Sequence, residues 1–237
     1  MKKVIVDNEL GNIVLTKNKR SSRLVIRVKP DYIAVTLPEC STYEEALKFV
    51  ETKRDWILIN KDKIKTSRKN INNEEPFQTL TFSVKLQLAD RKNYFISLKN
   101  NLLTIEYPAM VNPESESVQK VFRKAIENGL HHEAKRVLPD MLSALAKQYG
   151  FSFAEVKINS SKSRWGSCSS KGSINLSFYM MLLPEHLVKY VLLHELCHTK
   201  EMNHGTKFWK LLDSVSENKA KLLASETKKH SMLTRFS

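Results

Sequence analysis

The stretch Pro184–His198 reads PEHLVKYVLLHELCH and ends in a histidine–glutamate pair followed three residues later by a second histidine. Proline is favoured in the first turn of a helix, so we expect a helix that begins near Pro184 and runs through His198. Residues four apart lie on one face of a helix, which places the imidazoles of His194 and His198 side by side. Glu195 projects about 100° further around the same helix, close to both rings.

This helix carries the residue types of a catalytic metal site. Two imidazoles can hold one Zn²⁺ ion, and a third protein ligand would leave the fourth position open for water. Zinc lowers the pKa of such a water toward about 7, and Glu195 is near enough to take its proton. The pattern therefore predicts one Zn²⁺ and hydrolysis of peptide bonds through a metal-activated water, with Glu195 as general base.

The structural alternative is a helix whose histidines only pack in a core. The remaining positions of this helix are mostly apolar. Burying two histidines and a carboxylate among them would be costly without a partner. The composition of the helix therefore favours a metal site over simple packing.

Two residues are candidates for the third ligand. His204 lies ten residues after His194, a spacing that lets the chain turn after the helix and return to the metal, with Asn203 as a left-handed turn residue. Glu217 would suit a fold in which a second helix delivers a carboxylate. The sequence favours His204, because a carboxylate on a charged helix is usually solvated.

The segment Arg164–Cys168 has two readings of equal weight. As a strand beside the active helix it could pair with an extended peptide, and Arg164 or Asn175 could stabilise a tetrahedral oxyanion. Alternatively, Trp165 anchors the core and Gly166 permits a turn or bulge.

Composition and cysteine content limit the class of protein. The 237 residues are 41% hydrophobic with only six glycines and seven prolines, as in a folded globular chain. The sequence has no run of roughly 18 apolar residues, so we expect no membrane-spanning helix. The three cysteines, Cys40, Cys168 and Cys197, are odd in number and far apart, so we expect a reduced, cytoplasmic protein rather than a disulfide framework.

The charge balance permits a second function. The chain has 39 basic and 25 acidic residues, a net charge of +14, spread without a concentrated basic arm. Such a surplus allows nucleic-acid binding by counterion release. A solvated basic surface is favoured, and the alternative function is a nucleic-acid-associated protein, either a binding module or a protease recruited to DNA.

The order of predicted elements indicates an α+β protein. Residues 1–109 are predicted to form a mainly β accessory domain with one helix, which Ser41 or Thr42 would cap, and a polar linker near 60–77. Residues 110–237 are predicted to form the catalytic domain, with the active-site helix, a small β-sheet and a long backing helix. An apolar stripe from Val118 to Val137 marks the backing helix, Pro139 should kink or break it, and Gly150 ends it.

Motifs between about residues 160 and 210 carry a resemblance to a known family. They are Ser163–Cys168, Gly172–Leu176, Pro184, Tyr190, His194–His198, Asn203–His204 and Phe208–Trp209. As a set they resemble the YgjP-like metallopeptidase family, and the spacing of the histidines is also similar to that of SprT-like and metzincin proteases.

The resemblance implies a zincin fold, with His194, His198 and His204 as zinc ligands and Glu195 as catalytic base. Glu201 stands where metzincins have a turn glycine, so the chain departs from that group. The SprT-like similarity is what allows the DNA-recruited alternative.

Overall fold

The computed structural model describes residues 2–29, 31–67 and 70–230, with the backbone alone for 63–67. These residues divide into two units, one ending at residue 67 and the other beginning at residue 70. Residues 68 and 69 of the predicted linker and residues 231–237 of the predicted second domain lie outside the described residues. No helix in the described ranges is both long and apolar enough to cross a membrane.

The first unit combines one sheet with two helices. Its elements are β1 (Lys2–Asp7), β2 (Gly11–Lys17), β3 (Val25–Val28), β4 (Ile33–Leu37), α1 (Tyr43–Thr52) and α2 (Arg54–Ser67). The sheet order is β1-β2-β4-β3, with β2 and β4 parallel. Alternate residues of these strands, such as Leu15, Ile33 and Val35, are fully buried in a core shared with the helices.

Local capping explains where the first helix begins. The Thr42 side chain accepts a hydrogen bond from the Glu45 amide, and the Glu45 carboxylate accepts one from the Thr42 amide. This reciprocal pair satisfies two backbone donors at the helix start. A break at Lys53 then separates α1 from α2. The unit therefore has two helices where one was predicted, and α2 occupies the first part of the predicted polar linker.

The second unit contains the remaining elements of the α+β fold. They are β5 (Phe77–Gln78), β6 (Ser83–Ala89), β7 (Phe95–Lys99), β8 (Leu102–Pro108), α3 (Glu116–Tyr149), β9 (Glu155–Asn159), β10 (Gly166–Cys168), β11 (Ser173–Ser177), a 3₁₀ helix (Phe178–Leu182), α4 (Glu185–Cys197), α5 (Thr206–Val215) and α6 (Ala220–Lys229). Two small sheets are present, ordered β5-β6-β8-β7 and β10-β11-β9. The predicted α+β class, with a long helix and small sheets, is confirmed.

The division between the units differs from the predicted boundary after residue 109. The sheet β5–β8 belongs with the second unit, because it packs against α3. The rings of Tyr107 and Phe122 meet edge to face with centroids 5.5 Å apart. Gly129 of α3 lies directly against Phe82 and Leu103. Apolar burial between this sheet and α3 therefore moves the boundary by about 40 residues, which the local sequence pattern did not reveal.

The long helix α3 continues through Pro139 rather than ending there. Its buried stripe extends on both sides of the proline, with Leu130, Leu138 and Leu142 fully buried. Burial of these side chains stabilises both halves of the helix, which outweighs the hydrogen bond that proline removes. Gly150 ends the helix as predicted, in a left-handed conformation at φ 64°.

Helix α4 lies between α3 and the edge of the second small sheet. Leu187, Val188, Leu192 and Leu196 are fully buried, and the strand β10 contacts the helix from its other side. Pro184 precedes the first helical residue and His198 caps the last, as the sequence predicts. The helix is thus fixed on two sides, which holds its polar residues in defined positions.

Candidate metal centre

Three histidine side chains converge at the end of α4. The Nε2 atoms of His194 and His198 are 3.2 Å apart, since the two residues occupy successive turns of one helix face. The Nε2 atom of His204 lies 3.0 Å from that of His194 and 3.1 Å from that of His198. The structure therefore brings together the three histidines singled out in the sequence.

The short loop after α4 returns His204 to the helix. The amides of Lys200 and Glu201 both donate to the Cys197 carbonyl, and the Gly205 amide donates to the Asn203 carbonyl. Asn203 does not adopt the left-handed conformation predicted for it; the described non-glycine residues with positive φ are Asn100, Asn101, Glu217 and Asn218. Backbone hydrogen bonds in two tight turns reverse the chain without that conformation.

A backbone hydrogen bond and an aromatic ring orient the imidazoles. His198 donates from Nδ1 to the Glu201 carbonyl over 3.1 Å, which leaves its Nε2 without a proton and free to bind a metal. Fully buried Phe208 stacks on the His198 ring at a centroid distance of 4.5 Å. The same ring meets His194 at 4.9 Å and His204 at 4.7 Å. One aromatic side chain thus supports all three imidazoles.

The surroundings keep His194 and His198 neutral. Burial, together with the smaller effects of the neighbouring His198 and His204, lowers the pKa of His194 to about 3. Burial also lowers the pKa of His198. Neutral imidazole is the form that binds metals. Nitrogen atoms about 2.0–2.1 Å from one tetrahedral ion stand roughly 3.3 Å apart, so the observed Nε2 separations fit a single zinc-sized ion.

Glu195 lies beside the histidines with one oxygen unpaired. The residue is only 5% exposed, and Oε2 has no hydrogen-bond partner in the part of the chain that the structure describes. Burial raises the pKa of the Glu195 carboxyl to about 8, although the positive charge of Arg164 acts in the opposite direction. Buried polar atoms without partners are rare in folded proteins and need an explanation. A water held at the histidine cluster would supply the missing partner.

Comparison with known proteins identifies the family. The sequence matches the family described as YgjP-like, metallopeptidase domain, over residues 22–229. The chain belongs to the YgjP-like family.

Two solved structures are similar to a part of this chain. Crystal structures of two metallopeptidase zymogens each match 39% of this chain. Abylysin of Pyrococcus abyssi is 26% identical over 93% of its own length, with a TM-score of 0.36. Jannalysin of Methanocaldococcus jannaschii is 24% identical over 94% of its length, with a TM-score of 0.35. No curated protein matches.

In this YgjP-like chain the histidine cluster opens into a recess of about 480 Å³. Most of its lining is apolar, and aromatic side chains form much of it. The lining residues are Arg164, Trp165, Gly166, Tyr190, Val191, His194, Glu195, His204, Trp209, Ala224, Thr227 and Lys228. The recess gives a substrate room to approach the histidines and Glu195 together.

The remaining candidates from the sequence fall in different places. Arg164 is exposed and lines the recess close to Glu195. Asn175 is on the central strand β11, opposite Ser167, and does not line the recess. Glu217 occupies an exposed left-handed turn after α5, where it pairs with Lys219. The structure therefore groups Arg164 with the histidines, and it leaves Asn175 and Glu217 apart from them.

Several lining residues were not expected from the sequence. Ala224, Thr227 and Lys228 reach the recess from α6, which carries no motif. Tyr190 had a local signal, because it precedes His194 by one helical turn and is 4% exposed. The carbonyl of Glu201 is a backbone group, which no residue pattern specifies. The contribution of α6 depends on packing between elements distant in the chain.

Proposed function

We propose that this metallopeptidase-family protein is a zinc-dependent peptide hydrolase. The observation that carries the proposal is the convergence of three Nε2 atoms within 3.2 Å beside a buried carboxylate oxygen without a partner. His194, His198 and His204 would hold the ion, since three imidazoles with an open fourth position are typical of catalytic zinc. Bound zinc would polarise the scissile carbonyl and lower the pKa of a water.

Glu195 transfers the proton in this proposal. It accepts a proton from the attacking water as the water oxygen bonds to the carbonyl carbon. When the carbon–nitrogen bond breaks, Glu195 delivers that proton to the leaving amine, so the carboxylate is regenerated. Burial favours this role, because a carboxyl with a raised pKa exchanges a proton near neutral pH.

Groups around the recess would orient the substrate. The strand β10 pairs with β11 alone among the described strands, and its other edge would bind an extended peptide by main-chain hydrogen bonds. Arg164, exposed beside Glu195, would stabilise negative charge on the carbonyl oxygen. The apolar recess would hold a side chain next to the scissile bond.

The test compares Glu195→Gln with wild type on unfolded protein substrates. Removal of the base should lower turnover by roughly 100- to 10,000-fold while the bound zinc, measured by elemental analysis, stays at the wild-type level. Glu185→Gln is the matched control, because Glu185 is exposed on the same helix and pairs with Lys189. Persistent turnover in Glu195→Gln would refute the assigned role.

Two further predictions from the sequence accompany this proposal. The net charge of +14 supports association with nucleic acid, and a DNA affinity that falls steeply with salt would favour that function. An absence of DNA binding at low salt would discard it. The three unpaired thiols support a reducing compartment such as the cytoplasm, which localisation of the tagged full-length chain would test.

A further inference from the structure

Gly166 of β10 touches the side chain of Glu195. A Cβ atom built on Gly166 would lie 2.6 Å from Oε1 of Glu195, 2.7 Å from Cγ and 2.8 Å from Cδ. Carbon atoms in proteins do not approach this closely without a shift of one partner. Gly166 is in a regular strand, so its backbone conformation does not demand glycine. The glycine therefore serves to leave space.

Neither the backbone of β10 nor the backbone of α4 can easily move away at this contact. Gly166 pairs with the fully buried Leu176 across the β10–β11 ladder, and the Ser177 amide donates to the Trp165 carbonyl over 2.8 Å. On the other side, Glu195 is a residue of α4, and the buried side chains of that helix hold its backbone in place. An added methyl group would therefore push the carboxylate rather than the strand.

We infer that Gly166 is a positioning residue for Glu195. The missing side chain forms a slot between β10 and α4 that holds the Oε1 side of the carboxylate against the strand. The carboxylate is thereby fixed within the lining of the recess, with Oε2 left unpaired. The steric contact stands without any assumption about activity, and only its effect on turnover rests on the proposed function.

The first test is a double-mutant cycle on thermal unfolding of the full-length protein. Gly166→Ala should lower the melting temperature by roughly 5 °C or more, since overpacking a filled site is destabilising. In the Glu195→Ala background the same substitution should cost little, because Cγ, Cδ and both oxygens are gone. Equal losses in the two backgrounds would overturn the inference, whether or not the protein hydrolyses peptides.

The second test separates positioning from binding. Gly166→Ala should lower kcat roughly 100-fold, while KM and the bound zinc stay at wild-type values. Gly129→Ala adds the same methyl group against Phe82 and Leu103, away from the recess, and should retain wild-type turnover. Wild-type kcat in Gly166→Ala would overturn the inference. An inactive wild-type enzyme would instead refute the proposed function and leave the unfolding cycle to decide.

Discussion

Asp7 in the first unit and Glu195 in the second are carboxyl groups whose hydrogen bonding differs and whose pKa values shift in opposite directions. Asp7 accepts hydrogen bonds from the Arg54 guanidinium and from the amides of Glu9 and Leu10. These donors hold the pKa of the Asp7 carboxyl well below its usual range, Arg54 contributing most. Glu195 is more deeply buried, yet one of its oxygens has no partner among the described residues, and burial raises its pKa.

The difference in hydrogen bonding indicates that Asp7 stabilises the fold, whereas Glu195 is suited to a chemical role. A carboxylate with a full set of donors contributes to folding, whereas a buried one without them costs folding free energy. Buried carboxyl groups without hydrogen-bond partners are typical of sites where the group exchanges protons or binds a ligand. The histidine cluster follows the same rule, since its three Nε2 atoms face one another instead of hydrogen-bond partners elsewhere in the fold.

Removal of a histidine should give the largest effect on the site. His204→Ala deletes one of the three nitrogen donors, so we expect metal affinity to fall by more than about 100-fold, beyond the 10- to 100-fold cost of losing an outer-shell partner. Turnover should be lost with the metal. Zinc titration with a competing chelator, together with a peptidase assay, measures both.

Glu217→Ala is the matched control for His204→Ala. Glu217 is exposed and paired with Lys219, so its removal should leave metal affinity and turnover at wild-type values. If Glu217→Ala lost zinc while His204→Ala retained it, the third ligand would be the carboxylate, and the site would differ from the one described.

Phe208 links the site to the stability of its unit. Its ring is fully buried and contacts all three imidazoles. Phe208→Ala should therefore lower the free energy of unfolding by about 3–5 kcal/mol and also weaken zinc retention. Denaturant titration and elemental analysis measure the two effects. Phe208→Leu, which refills most of the volume, should cost less in both; equal zinc retention in all three proteins would contradict the supporting role.

The sequence predicted those parts of the site that depend on local periodicity. The spacing of His194 and His198 fixes them on one helix face, and Pro184 marks the helix start, because both depend on helix geometry alone. His204 was preferred over Glu217 because a carboxylate on a charged helix is usually solvated. The space beside Gly166, by contrast, depends on how a strand meets α4. The sequence predicted either a strand beside the active helix or a turn or bulge at Gly166, and neither interpretation specified this space.

The fold shows the same limit at a larger scale. The long helix and the strands follow from residue patterns, so the α+β class was predictable. The assignment of β5–β8 to the second unit was not, because it depends on contacts such as that of Phe82 with Gly129, 47 positions apart in the chain. The continuation of α3 through Pro139 likewise depends on burial of both halves against other elements.

The smallest effect is expected for a substitution of Arg54, the hydrogen-bond partner of Asp7 in the first unit. Arg54→Met removes the main cause of the lowered Asp7 pKa, so the stability that depends on it should disappear. A carboxyl whose pKa is lower in the folded chain stabilises the fold above its unfolded pKa of about 3.9, and this stabilisation is lost as the pH falls toward the folded value. The melting temperature of Arg54→Met should therefore fall a few degrees below wild type at pH 7, and the difference should narrow progressively as the pH falls below about 4. Thermal unfolding from pH 7 to pH 2.5 measures this difference, with zinc content and turnover at pH 7 unchanged. A difference that stayed constant from pH 7 to pH 2.5 would mean that Arg54 stabilises the first unit by packing rather than through its carboxylate partners.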